Sequence, residues 1–342
     1  MNVAPSKQSI VFYLLTALVL VTGILDYDSL PFWKTLGLDF HNIHAFHNCE
    51  HRFAPYLIPG ADCGDVLNRP MYYPPLLYWA YFWTAGLSFE SAYAIWVACL
   101  TFFMVGSFFI VRHLERSASW FSLESLVETI LYVLLLGTTP FIFALERGNT
   151  DCLVVFGISL CLWFFVKRRY FIWGALSAAM ALFKLYPAIP CFLVFAGFTV
   201  DAAREQKFIP IRNYLFGAGL LSFLVVVSLW QEHLIYLFDV LPDFSKGNTG
   251  ANSISHSIMG LETLYAGSAR YAKIALFVAW LYLSIKKISD DPVIVFTGTL
   301  AVSTFFAGTS YDYNLVTCFP LLFVLFVRSK TTVERGIFLV GL

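Results

Sequence analysis

Charge is what this 342-residue chain has least of: Asp, Glu, Lys and Arg make up 13% of it, and its acidic and basic residues balance at 22 each. Soluble domains carry about 25% charged residues, so an ordinary water-facing surface is excluded. Zero net charge, with Lys and Arg spread at intervals, excludes the basic field that nucleic acid attracts. There is no fixed-period repeat or low-complexity linker, and the two halves share no pattern of interrupted apolar segments, which speaks against a transporter. No small-residue cleavage site follows the first apolar run, 9–25, so that run reads as a retained helix and not as a removed signal. The chain also lacks an Asn-x-Ser/Thr acceptor, which suits a bacterial membrane better than a secretory pathway.

What the chain has in quantity is apolar residues, 59% of the total. Apolar runs fall near 9–25, 91–111, 125–145, 151–166, 171–183, 187–200, 213–230, 271–285, 291–307, 313–327 and from 336 onward. They predict an all-α, polytopic bundle of about 10–11 transmembrane spans in one domain, 1–342. The chain stops inside an apolar stretch at Gly341 and Leu342, as a C-terminally incomplete domain would, so the span count is a minimum. Basic clusters separate alternate runs: Lys7; Arg112 and Arg116; Lys167, Arg168 and Arg169; Arg204, Lys207 and Arg212; Lys286 and Lys287; Arg328, Lys330 and Arg335. The positive-inside tendency puts these clusters and the N-terminus in the cytoplasm. Segments 26–90, 146–150, 184–186, 231–270 and 308–312 then face outward, and they hold most of the unusual polar residues.

The first outward segment, 26–90, is long enough to expect function. It opens with Asp26 and Asp28 and closes with MYYPP at 71–75. Residues 39–53 lack Pro and Gly and predict a helix at the bilayer surface, ended by Pro55 and Pro59. On that helix Asp39, Asn42, Ile43, Phe46 and Glu50 share one face. His41, His44, His47 and His51 share another, about 120° wide and starting roughly 80° from Asp39, which makes them poor direct assistants to that carboxylate. The histidines read as a polar face at the headgroup layer, with metal binding and a grip on a lipid phosphate as alternatives; no HExxH string or Cys pair supports a metal. Cys49 and Cys63 are the two outward cysteines of seven, and their spacing leaves a disulfide open.

Polar strings recur at the other outward ends. ERGNTD, 146–151, crowds two acids, an Arg and an Asn into a helix junction, either as a site or as a turn with an internal Glu146–Arg147 or Arg147–Asp151 pair. Lys184, after a small-residue helix, calls for an anion: a lipid phosphate, unless the side chain merely snorkels. KGNTGANSISH, 246–256, offers backbone donors to hydroxyl or phosphate groups, or is a plain loop. SYDYN, 310–314, sets an acid among aromatic rings, as sugar sites do and interfacial belts also do.

Taken together, DFHNIHAF at 39–46, APY at 54–56, YYPPLL at 72–77, RGNTD at 147–151, KLYP at 184–187, NSISH at 252–256 and SYDYNL at 310–315 make the chain resemble the GT-C type membrane glycosyltransferases. The closest resemblance is to glycosyltransferase family 87, which includes polyprenyl-phosphate-mannose-dependent α-1,2-mannosyltransferases. The resemblance implies inverting transfer of a hexose, mannose first, from a polyprenyl-phosphate donor to a glycan or glycolipid acceptor at the non-cytoplasmic face of a bacterial cytoplasmic membrane. It maps the general base onto Asp39, with Asp26 and Asp28 as competitors. Donor phosphate binding is expected at Lys184, Arg147, His256 and Asn252. Sugar and acceptor binding is expected at Asn42, Tyr72, Tyr73, Asn149, Asp151, Tyr311 and Asp312. The partners are membrane lipid and the two substrates, with no nucleic acid. No cofactor and no metal ligand are assigned, and a divalent metal is left open. The rival reading is a transporter or flippase for a lipid-linked sugar or another amphiphile.

Overall fold

A computed structural model describes residues 37–57, 60–65, 69–115, 123–242, 268–303 and 312–329. The expected first span, Asp26, Asp28, the 246–256 loop with Asn252 and His256, Tyr311 and the run from 336 lie outside these residues, as does the side chain of Asp312. Thirteen α-helices and no strand form the described residues: α1 (Leu38–His47), α2 (Pro75–Ala80), α3 (Phe89–Glu115), α4 (Leu123–Leu136), α5 (Thr139–Arg147), α6 (Asp151–Val166), α7 (Tyr170–Phe183), α8 (Ala188–Arg204), α9 (Phe208–Ser228), α10 (Trp230–Ile235), α11 (Ser268–Lys287), α12 (Pro292–Ser303) and α13 (Phe319–Arg328).

The protein is therefore an all-α polytopic chain, as its apolar runs predict. Among the described residues α3 and α9 are each long and apolar enough to cross a bilayer, and α4 with α5 makes a third candidate bent by 51°. That bend divides the run expected at 125–145. Thr138 is extended at ψ 155°, and Pro140 sits in the first turn of α5, where its missing N–H removes no helical bond. Helix α6 has 16 residues and α7 has 14, so at 1.5 Å per residue each reaches only about 21–24 Å, short of a hydrocarbon core of about 30 Å.

Helix α3 runs alongside α6 in the same direction: Trp96 meets Gly148, Phe103 stacks on Phe156 and His113 meets Trp163. Helix α7 returns antiparallel to α6, with Trp173 against Phe165 and Ser177 against Cys161. Where α7 crosses α9, Gly174 lies on the backbone at Tyr214 and Gly217 on the backbone at Phe171, so a side chain at either glycine would push the helices apart. The outer surface of α9 presents Leu215, Phe216, Leu220, Phe223, Leu224 and Val227, an apolar strip suited to lipid.

Helix α1 forms within the expected 39–53 segment but ends at His47. Asn48 caps it: its side-chain amide donates back to the His44 carbonyl at 3.0 Å and reaches the Thr84 carbonyl at 3.4 Å, while its Oδ1 accepts from the Gly86 N–H at 2.8 Å. Apart from half-exposed His41, every residue of α1 is buried. Of the expected histidine stripe, His44 and His47 are thus turned inward, while His41 is partly exposed and His51, beyond the helix, is exposed. The His47 Nε2 meets the Tyr78 carbonyl at 2.8 Å and its ring stacks on Tyr78, while His44 Nε2 meets the Leu87 carbonyl at 3.0 Å. Burial pushes the His44 pKa down and that of His47 down to about 4. No three His, Cys, Asp or Glu side chains converge on a metal-sized site among the described residues.

Candidate active site

Two glycines dock α1 onto the turn between α5 and α6. Gly37, at φ 66°, precedes α1 and donates its N–H to the Glu146 carbonyl at 2.6 Å; a Cβ there would stand 2.8 Å from the Tyr93 ring. Gly148, at φ 67°, follows α5 in a Schellman turn, in which the Gly148 N–H bonds the Leu145 carbonyl and the Asn149 N–H bonds the Ala144 carbonyl. A Cβ at Gly148 would lie 2.6 Å from the Phe40 Cβ. Both glycines adopt a conformation that other residues rarely take, at points with no room for a side chain. From α3, the Tyr93 hydroxyl and the Trp96 indole bind the carbonyls of Leu145 and Gly148.

This docking brings Asp39 to the turn. Its Oδ1 accepts from Arg147 Nη2 at 2.5 Å and its Oδ2 from Asn149 Nδ2 at 3.1 Å, across more than a hundred residues of sequence. The Asn149 Oδ1 accepts in turn from the Asp151 N–H at 3.0 Å and from Lys184 Nζ at 3.2 Å. Asp151, fully buried at the start of α6 where the helix dipole favours an anion, is bound by Lys184 and by the Tyr186 hydroxyl. The expected residues Asp39, Arg147, Asn149, Asp151 and Lys184 therefore form one hydrogen-bonded network. The anion that Lys184 calls for is met by Asp151, and Arg147 pairs with Asp39 rather than only with acids of its own turn.

On the other side of Asp39 stands a pair that sequence reasoning missed. Arg69 Nη1 lies 3.7 Å from Asp39 Oδ1, while its Nε and Nη2 fork onto Asp65 at 3.2 and 3.0 Å. The only advance signal was the i, i+4 spacing of Asp65 and Arg69 before Pro70. Burial opposes ionisation of Asp65, but His41 and Arg69 outweigh it and hold the carboxyl well below its usual range; Arg69 is raised correspondingly. Asn42, expected at the sugar, donates its amide to the Arg69 carbonyl at 3.1 Å and so helps hold this loop. Tyr73 points its hydroxyl to the Asp39 carbonyl at 3.5 Å, and burial raises its pKa. Tyr72 is half-buried nearby in sequence. Cys49 and Cys63 are joined as a disulfide with a Cα–Cα distance of 5.0 Å, fastening the end of α1 to the segment that carries Asp65.

A family model described as glycosyltransferase family 87 matches residues 72–338, most of the chain. The chain belongs to that family and is a membrane glycosyltransferase, which sets aside the transporter reading. The match begins after Asp39, Asp65 and Arg69 and takes in Arg147, Asn149, Asp151 and Lys184. No curated protein and no solved structure matches the chain.

Proposed function

We propose that this member of glycosyltransferase family 87 moves a hexose, mannose as the first choice, from a polyprenyl-phosphate donor to a hydroxyl of a glycan or glycolipid. The reaction takes place on the extracytoplasmic side of a bacterial cytoplasmic membrane, with the N-terminus in the cytoplasm. Asp39 is the general base. The acceptor oxygen attacks the anomeric carbon, its proton passes to Asp39, and the bond from that carbon to the phosphate oxygen breaks. Attack from the face opposite the phosphate inverts the anomeric configuration.

The observation that carries this reading is the buried Asp39 carboxylate, gathered with Arg147, Asn149, Lys184 and Asp151 where four helix ends meet. A carboxylate has about four acceptor directions, and Arg147 and Asn149 take two, so two remain, enough for an acceptor hydroxyl. Arg147 and Lys184 supply positive charge for the leaving phosphate as it gains charge, with Asn252 and His256 assigned to the same task. Asn149, Asp151, Tyr72 and Tyr73, with Asn42, Tyr311 and Asp312, are assigned to the sugar and the acceptor.

The test is transfer from polyprenyl-phosphate mannose to a panel of glycan acceptors, with the full chain in lipid nanodiscs. Transfer by the wild type and its loss in a folded Asp39→Asn variant are expected. Activity persisting in that variant would move the base to Asp26 or Asp28, and the absence of transfer from any polyprenyl-phosphate sugar would sink the donor assignment.

A further inference from the structure

Arg69 faces two carboxylates at once, and Asp65 decides how it does so. The fork from Arg69 Nε and Nη2 to the two Asp65 oxygens fixes the plane of the guanidinium, which leaves Nη1 directed toward Asp39 at 3.7 Å. The backbone N–H of Arg69 also donates to Asp65 at 2.9 Å. The same residue is latched to α1 on both sides of Asp39: Nη2 donates to the Leu38 carbonyl at 2.5 Å, and the Arg69 carbonyl accepts from Asn42 at 3.1 Å. Asp65 is 2% exposed and Asp39 is 6% exposed, so water screens neither charge well.

The arrangement has an electrostatic consequence. With Asp65 ionised, much of the Arg69 charge is already answered before it acts on Asp39. Without Asp65 the full guanidinium charge would bear on Asp39, and an opposite charge at this range lowers a carboxylate pKa by about 1–3 units. Without Arg69, Asp39 would lose one of two cations and keep Arg147 alone. The other groups around Asp39 are Asn149 from the α5–α6 turn, Tyr73 beyond Pro70, His41 at 3.7 Å from Asp65, and Lys184 with Asp151 one hydrogen bond further away. Changing the pair leaves Asn149, Lys184 and Asp151 with their partners, while His41 loses the charge of Asp65 and Tyr73 that of Arg69.

We propose that Asp65 and Arg69 are positioning residues that set both the direction and the basicity of Asp39. This rests on the assignment of Asp39 as the base, and the pair need touch neither substrate. Asp65 is the counterweight that lets Arg69 orient the base without disabling it.

The full chain in nanodiscs is compared as wild type, Asp65→Asn, Arg69→Met and the double variant. One readout is the pH profile of kcat for transfer from polyprenyl-phosphate mannose to a mannoside acceptor. The other needs no activity: an infrared titration of carbon-13-labelled Asp carboxyls, with Asp39 assigned by subtracting the Asp39→Asn spectrum. Asp65→Asn should lower the Asp39 midpoint by about one pH unit and reduce kcat about tenfold with KM little changed, whereas Arg69→Met should raise the midpoint by about one unit. The double variant should fall between them, near the wild-type midpoint.

Opposite shifts are something a folding strut does not produce. Shifts in the same direction, unmoved midpoints, or loss of folded protein in all three variants would overturn the proposal. Transfer surviving in Asp39→Asn while the infrared midpoints still move apart would remove the base assignment and leave the coupling standing, so the two failures are distinguishable.

Discussion

Helix α3 ends in an ion network at one tip and lies beside another at the opposite tip. At its last residue, Glu115 accepts from Arg328 Nε at 2.8 Å and Nη2 at 2.5 Å, and Arg328 also binds both oxygens of Asp291. At its first turns, Tyr93 and Trp96 hold the loop that carries Arg147 against Asp39. The geometries are alike, but the burial differs: the Glu115 side chain is buried, yet that of Arg328 is 37% and that of Asp291 28% exposed, whereas Arg147 is 11% and Asp151 0% exposed. An exposed ion pair is worth about 0–1 kcal/mol and serves to gather helix ends. A buried one recovers its desolvation cost only when every partner is in place, and apolar residues of the same volume often do as well. A chain that places three acids and three bases together at its buried end spends stability there, which fits a site where charge develops during reaction.

The sharpest way to break this comparison is at the base. Asp39→Asn should reduce kcat by about 10²–10⁴-fold with the fold retained, read by transfer assay and size-exclusion chromatography, because a general base contributes that much. A change of tenfold or less would make the inner network structural like the outer one. Next in size, Lys184→Met leaves Asp151 buried beside Tyr186 without its cation and should cost about 3–5 kcal/mol in thermal or denaturant unfolding. Adding Asp151→Asn should recover much of that loss, and failure to recover would mean that Lys184 acts on something other than Asp151.

Acid should also tell the two ends apart. Burial lowers the His47 pKa to about 4, below the 6.5 of an exposed histidine, so the folded chain refuses a proton that the unfolded chain accepts. Stability is then full above about pH 6.5 and declines as pH falls toward 4, by up to about 3 kcal/mol. Melting curves of wild type and His47→Asn should separate in this window, and parallel curves would remove His47 as the cause. Smallest of all, Arg328→Ala should cost about 1 kcal/mol or less and leave transfer unchanged; a large loss of transfer would show that the two ends communicate.

Much of the site was readable from strings. ERGNTD announced itself because polar groups at a helix junction are costly without partners, and Arg147, Asn149 and Asp151 do share one network. Lys184 was readable for the same reason, although its anion came from the chain itself. The reading of α1 fared less well. Its helical tendency was plain, but a surface helix and one wrapped by protein share the same mixture of aromatic and polar residues, so the histidine face was placed at the headgroup layer when His44 and His47 bind backbone carbonyls inside. Asp65 and Arg69 were passed over because nothing local distinguishes an i, i+4 ion pair on a loop from one beside a catalytic carboxylate.

Low charge and apolar runs were enough to establish a polytopic helical membrane protein, because the cost of charge in lipid acts on every segment separately. Ordered motifs were enough to point to the family. The pairings of Asp39 with Arg147, of Arg69 with both Asp39 and Asp65, and of Lys184 with Asp151 were decided by packing alone. They join segments up to 108 residues apart through two left-handed glycines and a disulfide, and such contacts exist only once helix ends have been brought to the same few ångströms.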